Sequence, residues 1–186
     1  NLSKDEEVKL NEILKKYPMS ITPYYLSLVD FNDPDDPIKK MCIPSIAETD
    51  LSGSFDTSGE ADNTVVTGVQ HKYRETVIVL STNQCAMYCR HCFRKRLVGL
   101  SDEEIAKYFD EMIEYIKEHK EISNVLISGG DSFCNSNAKI EKYLRELIEI
   151  EHLDLIRFGT RIPVVYPQRI SKDYNLKKIL KSYCKK

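Results

Sequence analysis

A chain of 186 residues with 41% apolar side chains holds enough material for one domain with a real core, or one domain with an appended lobe. Its 27 basic and 29 acidic residues leave a net charge of -2, which argues against nucleic acid or an anionic membrane as partner. No apolar run approaches the roughly 18 residues that span a bilayer, the N-terminus has no signal core, and three of the six cysteines are scattered rather than set in an even framework, so the chain reads as a reduced, cytoplasmic protein.

Ser3-x-x-Glu6 is a capping-box signature, and Leu10, Ile13, Leu14 and Tyr17 recur at helical spacing, which predicts a helix over residues 4–17 ending before Pro18. Up to Gln70 the pattern is irregular. Pro23, Pro34, Pro37 and Pro44 with Asp33, Asp35 and Asp36 mark turns, and residues 51–63 are rich in Ser, Gly, Thr and Asp, so short helices and a long extended connection are expected. This gives an N-terminal helical and extended region, 1–70, ahead of a second region, 71–186.

The second region is regular. The β-branched run Thr76-Val-Ile-Val-Leu-Ser81 predicts a strand, and Ser101-x-x-Glu104 predicts the opening of a helix with Ile105, Phe109, Met112, Ile113 and Ile116 as its stripe. A second strand at 124–128 precedes a helix over about 137–150, and Asp154-Leu-Ile-Arg-Phe158 is a third strand before a last helix capped by Ser171. Alternation of strand and helix implies α/β architecture with a parallel sheet and ligands at the carboxyl ends of its strands.

Between the first strand and its helix lies Cys85-Ala-Met-Tyr-Cys89-Arg-His-Cys92. Three thiolates at these spacings suit three irons of a cubane cluster and leave the fourth iron open to a small molecule. Two other readings stand beside this one: a structural zinc completed by His91 or a distant cysteine, and ordinary buried thiols. Ser128-Gly-Gly-Asp131 is either a turn or a close backbone approach to a ligand with a carboxylate for an ammonium. Arg94, Lys95 and Arg96 form either a solvated face or a carboxylate clamp, and Arg157, Arg161 and Arg169 suit ion pairs at a strand end.

The cysteine loop, Ser128-Gly-Gly-Asp131 and Arg157-Phe-Gly-Thr-Arg-Ile-Pro-Val-Val-Tyr-Pro-Gln-Arg169 resemble, in this order, the radical S-adenosylmethionine (SAM) superfamily and within it the lysine 2,3-aminomutase family. The likeness runs from Tyr17-Pro-Met-Ser-Ile-Thr-Pro-Tyr-Tyr25 through Asp56-Thr-Ser-Gly-Glu60 and Gln70-His-Lys-Tyr73 to the last helix. Members of that family continue for about as many residues again past Lys186. With Asn1 in place of an initial Met, the chain is read as the N-terminal half of a longer protein. The implied fold is the first half of a partial (β/α)6 barrel, three β/α units with an open edge where a fourth strand would pair.

The same resemblance implies the site. Cys85, Cys89 and Cys92 would hold a [4Fe-4S] cluster whose open iron takes SAM, and an external one-electron reductant would trigger release of a 5′-deoxyadenosyl radical. His91 would pack by the adenine, Gly129, Gly130 and Asp131 would contact the methionyl amine, and Thr160 and Arg161 would face SAM. Arg94 would grip the carboxylate of an amino acid substrate, and Lys72 and Tyr73 would meet pyridoxal 5′-phosphate (PLP). The lysine that forms a Schiff base with PLP lies in the other half of the family's barrel, so none is assigned here. The implied activity is a 2,3-aminomutase, an isomerase that is a homo-oligomer in the family. Tyr73-Arg-Glu-Thr76 departs from the Tyr-Pro-x-Arg of the lysine enzymes, and the cysteine run resembles the glutamate branch, so glutamate and lysine are both carried as substrates. The alternatives are a catalytically incomplete metal-binding fragment and a radical SAM enzyme of the same fold with another substrate.

Overall fold

The computed structural model describes residues 3–50 and 52–184; Asn1, Leu51 and the last two lysines, named in the sequence reading, lie outside the described residues. Helix α1 spans Lys4–Lys16, and the capping box forms as expected: Ser3 Oγ accepts from the Glu6 amide while Glu6 returns to the Ser3 amide at 2.8 Å. Two short helices follow, α2 (Pro23–Leu26) and α3 (Pro37–Cys42), each with proline in its first turn and a side-chain N-cap, Thr22 and Asp36. A 3-10 turn at Ile46–Thr49 is capped by Ser45.

Among the described residues the sheet has five strands in the spatial order of the chain: β1 (Thr64–Val66), β2 (Val69–Tyr73), β3 (Thr76–Thr82), β4 (Asn124–Gly129) and β5 (Leu155–Phe158). β3, β4 and β5 pair in parallel as the alternation of strands and helices predicts. The antiparallel pairs β1·β2 and β2·β3 correct the sequence reading, which placed residues 64–70 in an extended connection. Both strands are short, and Val-Gln-His-Lys-Tyr mixes buried and exposed positions without clean alternation, so their pattern is weak.

Helices α4 (Phe109–Glu118) and α5 (Asn137–Ile148) cover one face of the sheet. There Val77, Val79, Val125 and Ile127 pack with Met112, Ile116, Tyr143 and Leu147 in the main core. The other face, with Ile78, Leu126 and Arg157 in register across β3, β4 and β5, is only partly covered, and Leu155 on the β5 edge is 44% exposed. Among the described residues no helix is long and apolar enough to cross a membrane.

Two helix starts differ from the sequence reading. Ser101 and Glu104 do not open α4, because Glu104 is taken by the Arg96 guanidinium at 2.7 and 3.0 Å and the Ala106 amide bonds to Leu80 O, which pins residues 101–107 to the sheet as turns. The last helix, α8 (Tyr174–Ser182), is capped by Asp173; Ser171 ends a preceding short helix, α7 (Gln168–Ser171), which follows α6 (Ile162–Val165). Asp173 prevails because it also takes Arg169 and Asn137, which ties α7, α5 and α8 together.

Candidate active site

The cysteine loop leaves the carboxyl end of β3 and is fastened to the N-terminal region through its own backbone: the Tyr88 amide donates to Ser20 O and the Arg90 amide to Met41 O. Between Cys89 and Cys92, Arg90 is buried and forks onto Glu48, Nε to Oε1 at 3.0 Å and Nη2 to Oε2 at 2.7 Å, while its guanidinium also reaches the carbonyls of Tyr17 and Pro18. Lys95 joins the same carboxylate. Burial would raise the Glu48 pKa, but the hydrogen bonds from Arg90 and Lys95 outweigh it and hold Glu48 below the usual range. Nothing in the composition singled out Glu48, which lies 42 positions from its partner.

Cys85, Cys89 and Cys92 open together into a cavity of about 300 Å³ across the carboxyl ends of β3, β4 and β5. Met87, Val98 and Val165 give it apolar walls, and Arg94, Asp131 and Arg161 supply charge, the mixture expected of a small-molecule site. Burial pushes the Cys85 thiol well up and raises the Cys92 thiol as well. Ligation to a metal cluster removes these protons.

Gly129 and Gly130 end β4 where the backbone closes on the loop after β3. A Cβ on Gly129, which has φ +110, would meet Thr82 O at 2.3 Å, and one on Gly130 would meet Gln84 O at 2.4 Å, so neither position admits a side chain. The next residue, Asp131, is buried and already accepts three hydrogen bonds: from the Phe133 amide at 3.0 Å, Thr160 Oγ1 at 2.6 Å and the Arg161 amide at 2.6 Å. It braces the end of β4 against the loop after β5. The Arg161 side chain then crosses the cavity and places Nη1 2.7 Å from Cys89 Sγ.

Arg94 is also buried. Its Nε and Nη2 each lie 2.8 Å from Glu60 Oε1, and Nη1 reaches Ser128 Oγ and Gly129 O at 3.3 and 3.4 Å. Arg96 takes the other oxygen of Glu60 at 2.7 Å. Burial alone would raise Glu60, but the bonds from Arg96 and Arg94 hold its pKa below the ordinary value. Glu60, quoted above only as part of a motif, is thus the anchor of Arg94. A second cavity of about 160 Å³ on the open face of the sheet is lined by Lys72, Tyr73, Gln70 and, again, Phe93 and Arg94. Lys72 Nζ donates to Ser58 O, and Tyr73 is 64% exposed.

Among the described residues no three His, Cys, Asp or Glu side chains are grouped closely enough to share one metal ion. A cubane does not require it, since each thiolate takes its own iron. Three thiols on one cavity wall fit that donor set. A cation, an aromatic ring and an amide in the second cavity fit the phosphate and ring of PLP.

The chain matches the family described as the radical SAM superfamily over residues 79–179, from mid-β3 into α8. It belongs to the radical SAM superfamily. It is similar to the L-lysine 2,3-aminomutase of Acetoanaerobium sticklandii, 42% identical over 185 residues that cover 98% of this chain and 44% of the relative. It is also similar to the L-lysine 2,3-aminomutase of Clostridium subterminale, 40% identical with the same coverage, and to the glutamate 2,3-aminomutase of Clostridioides difficile, 39% identical over 93% of this chain and 42% of the relative. The chain therefore spans less than half the length of the curated relatives it matches.

Of the residues singled out in the sequence of this radical SAM protein, the three cysteines, His91, Arg94, Gly129, Gly130, Asp131, Thr160 and Arg161 all line the first cavity. His91 is exposed there. Lys72 and Tyr73 line the second cavity instead. Arg157 bonds Asn124 on the open sheet face, and Arg169 is consumed by Phe133 O, Asn135 O, Asn137 and Asp173, so neither lines either cavity.

Proposed function

We propose that this chain is the N-terminal portion of a radical SAM, PLP-dependent amino acid 2,3-aminomutase acting on glutamate or lysine. One observation carries the reading: Phe93 and Arg94 line both the cysteine cavity and the Lys72–Tyr73 cavity, so a substrate held there would stand between the source of the radical and the group that stabilises it. Cys85, Cys89 and Cys92 would hold the [4Fe-4S] cluster. His91, Gly129, Gly130, Asp131, Thr160 and Arg161 would surround SAM, and Lys72 and Tyr73 would contact PLP. When bound, the cluster and SAM supply a 5′-deoxyadenosyl radical and PLP supplies the electron sink for the migrating amine.

Arg94 has five N–H donors, and the contacts to Glu60, Ser128 and Gly129 engage four of them. The remaining Nη2 proton is its handle for a substrate carboxylate, on a guanidinium held rigid by Glu60. Apolar Met87, Val98 and Val165 line the same space. Asp131 keeps the loops after β4 and β5 in register. The identities to lysine and glutamate enzymes are alike and do not separate the two substrates.

The test is mass spectrometry of products from lysine and from glutamate, with SAM, PLP and an external one-electron reductant. A polypeptide carrying the whole barrel is expected to give β-amino acid, and the 186-residue chain none, because imine chemistry needs a positioned lysine that is assigned to the other half. Product from the 186-residue chain alone, or SAM cleavage without amino migration by the whole-barrel form, would overturn the reading.

A further inference from the structure

Arg161 stands apart from the other cations around the cysteine loop. Arg90 and Lys95 pair with Glu48, Arg94 pairs with Glu60, and Arg96 pairs with Glu60 and Glu104. Among the described residues the Arg161 guanidinium has no carboxylate partner, and its hydrogen bond runs to the sulfur of Cys89, Nη1 to Sγ at 2.7 Å. The contact is built from the backbone outward. The Arg161 amide is fixed on Asp131 Oδ2, its carbonyl accepts from Val164 and Val165 at 2.9 and 3.0 Å, and Thr160 is fixed by Asp131 Oδ1. A half-buried side chain on so constrained a backbone keeps its direction.

We propose that Arg161 sets the reduction potential of the iron–sulfur cluster by donating a charged hydrogen bond to the Cys89 sulfur. The inference rests on the cluster reading above. One electron from the external reductant adds a negative charge to the cluster, with no bond made or broken and no proton moved. A fixed cation at one of the ligand sulfurs stabilises the reduced form more than the oxidised form. Hydrogen bonds to ligand sulfurs are among the levers by which a protein tunes such potentials. Arg161 is thereby a positioning and tuning residue in addition to any contact it makes with SAM.

The test is a potentiometric titration of the anaerobically reconstituted 186-residue chain, without SAM, followed by the paramagnetic signal of the reduced cluster. Arg161→Gln and Arg161→Met remove the guanidinium but keep the main-chain bond to Asp131. Both are expected to retain the parent's iron and sulfide and to show a reduced-to-oxidised ratio about tenfold lower at the parent's midpoint, a shift of about 59 mV to more negative potential for a one-electron couple. A midpoint equal to or above the parent's in both variants would overturn the proposal. So would loss of the cluster from both, which would make Arg161 a residue of assembly. A parent chain that takes up no cluster overturns the underlying reading as well, and is distinguished by its iron content before any titration.

Discussion

Asp131 joins two strand ends with one carboxylate, and its three acceptor bonds are made in a buried setting where a lost partner is not replaced by water. Asp131→Ala is therefore expected to lower stability by about 1–3 kcal/mol, the cost of leaving buried donors unsatisfied, measured as a reduced denaturation midpoint. An unchanged midpoint would show the brace to be idle. Glu60 gives a pH signature. Its folded pKa lies below the ordinary glutamate value of 4.5, so its contribution to stability is complete above that value and is lost as pH falls toward the folded one. Denaturation midpoints followed down through pH 4.5 should fall less steeply for Glu60→Gln than for the parent, with the variant already weaker at neutral pH because the buried Arg94 loses its counter-charge and Arg96 keeps only Glu104. Parallel profiles would remove Glu60 from the account. The site's residue types were legible from Cys85, Cys89, Cys92, Gly129, Gly130 and Asp131, because glycine and cysteine spacing is local. What Asp131 touches was not, since its partners come from Thr160 and Arg161 on another loop.

At the scale of elements, the capping box and helical spacing located α1, and apolar runs that meet the core located β3, β4, α5 and β5, to within a few residues. It failed where a long-range ion pair or a brief strand decided the outcome: Glu104 serves Arg96 rather than a helix start, and β2 forms by pairing with β3 rather than by its own pattern. The cysteine loop depends on such a contact. Glu48→Gln replaces the carboxylate on which Arg90 and Lys95 converge, and charged hydrogen bonds of this kind contribute about 1.5–3 kcal/mol each. The reconstituted variant is expected to lose iron to a chelator several-fold faster than the parent. Equal rates of loss would show that the N-terminal region does not hold the loop.

Over the whole molecule the two faces of the sheet are unlike. The helix-covered face is a dry core, where Ile127→Ala is expected to cost about 2–5 kcal/mol in the denaturation midpoint; a loss below about 1 kcal/mol would contradict that packing. The opposite face and the β5 edge remain open, in a chain that spans 44% of the length of the first relatives it matches. Both cavities lie toward that open side. The central claim concerns the three thiols. Anaerobic reconstitution with iron and sulfide, followed by metal and labile-sulfide analysis and by the paramagnetic signal of the reduced cluster with and without SAM, tests it most directly. The parent should hold about four irons and four sulfides with a signal that SAM perturbs, and Cys89→Ala should hold none. Stoichiometric zinc without labile sulfide, or a cluster signal indifferent to SAM, would contradict it.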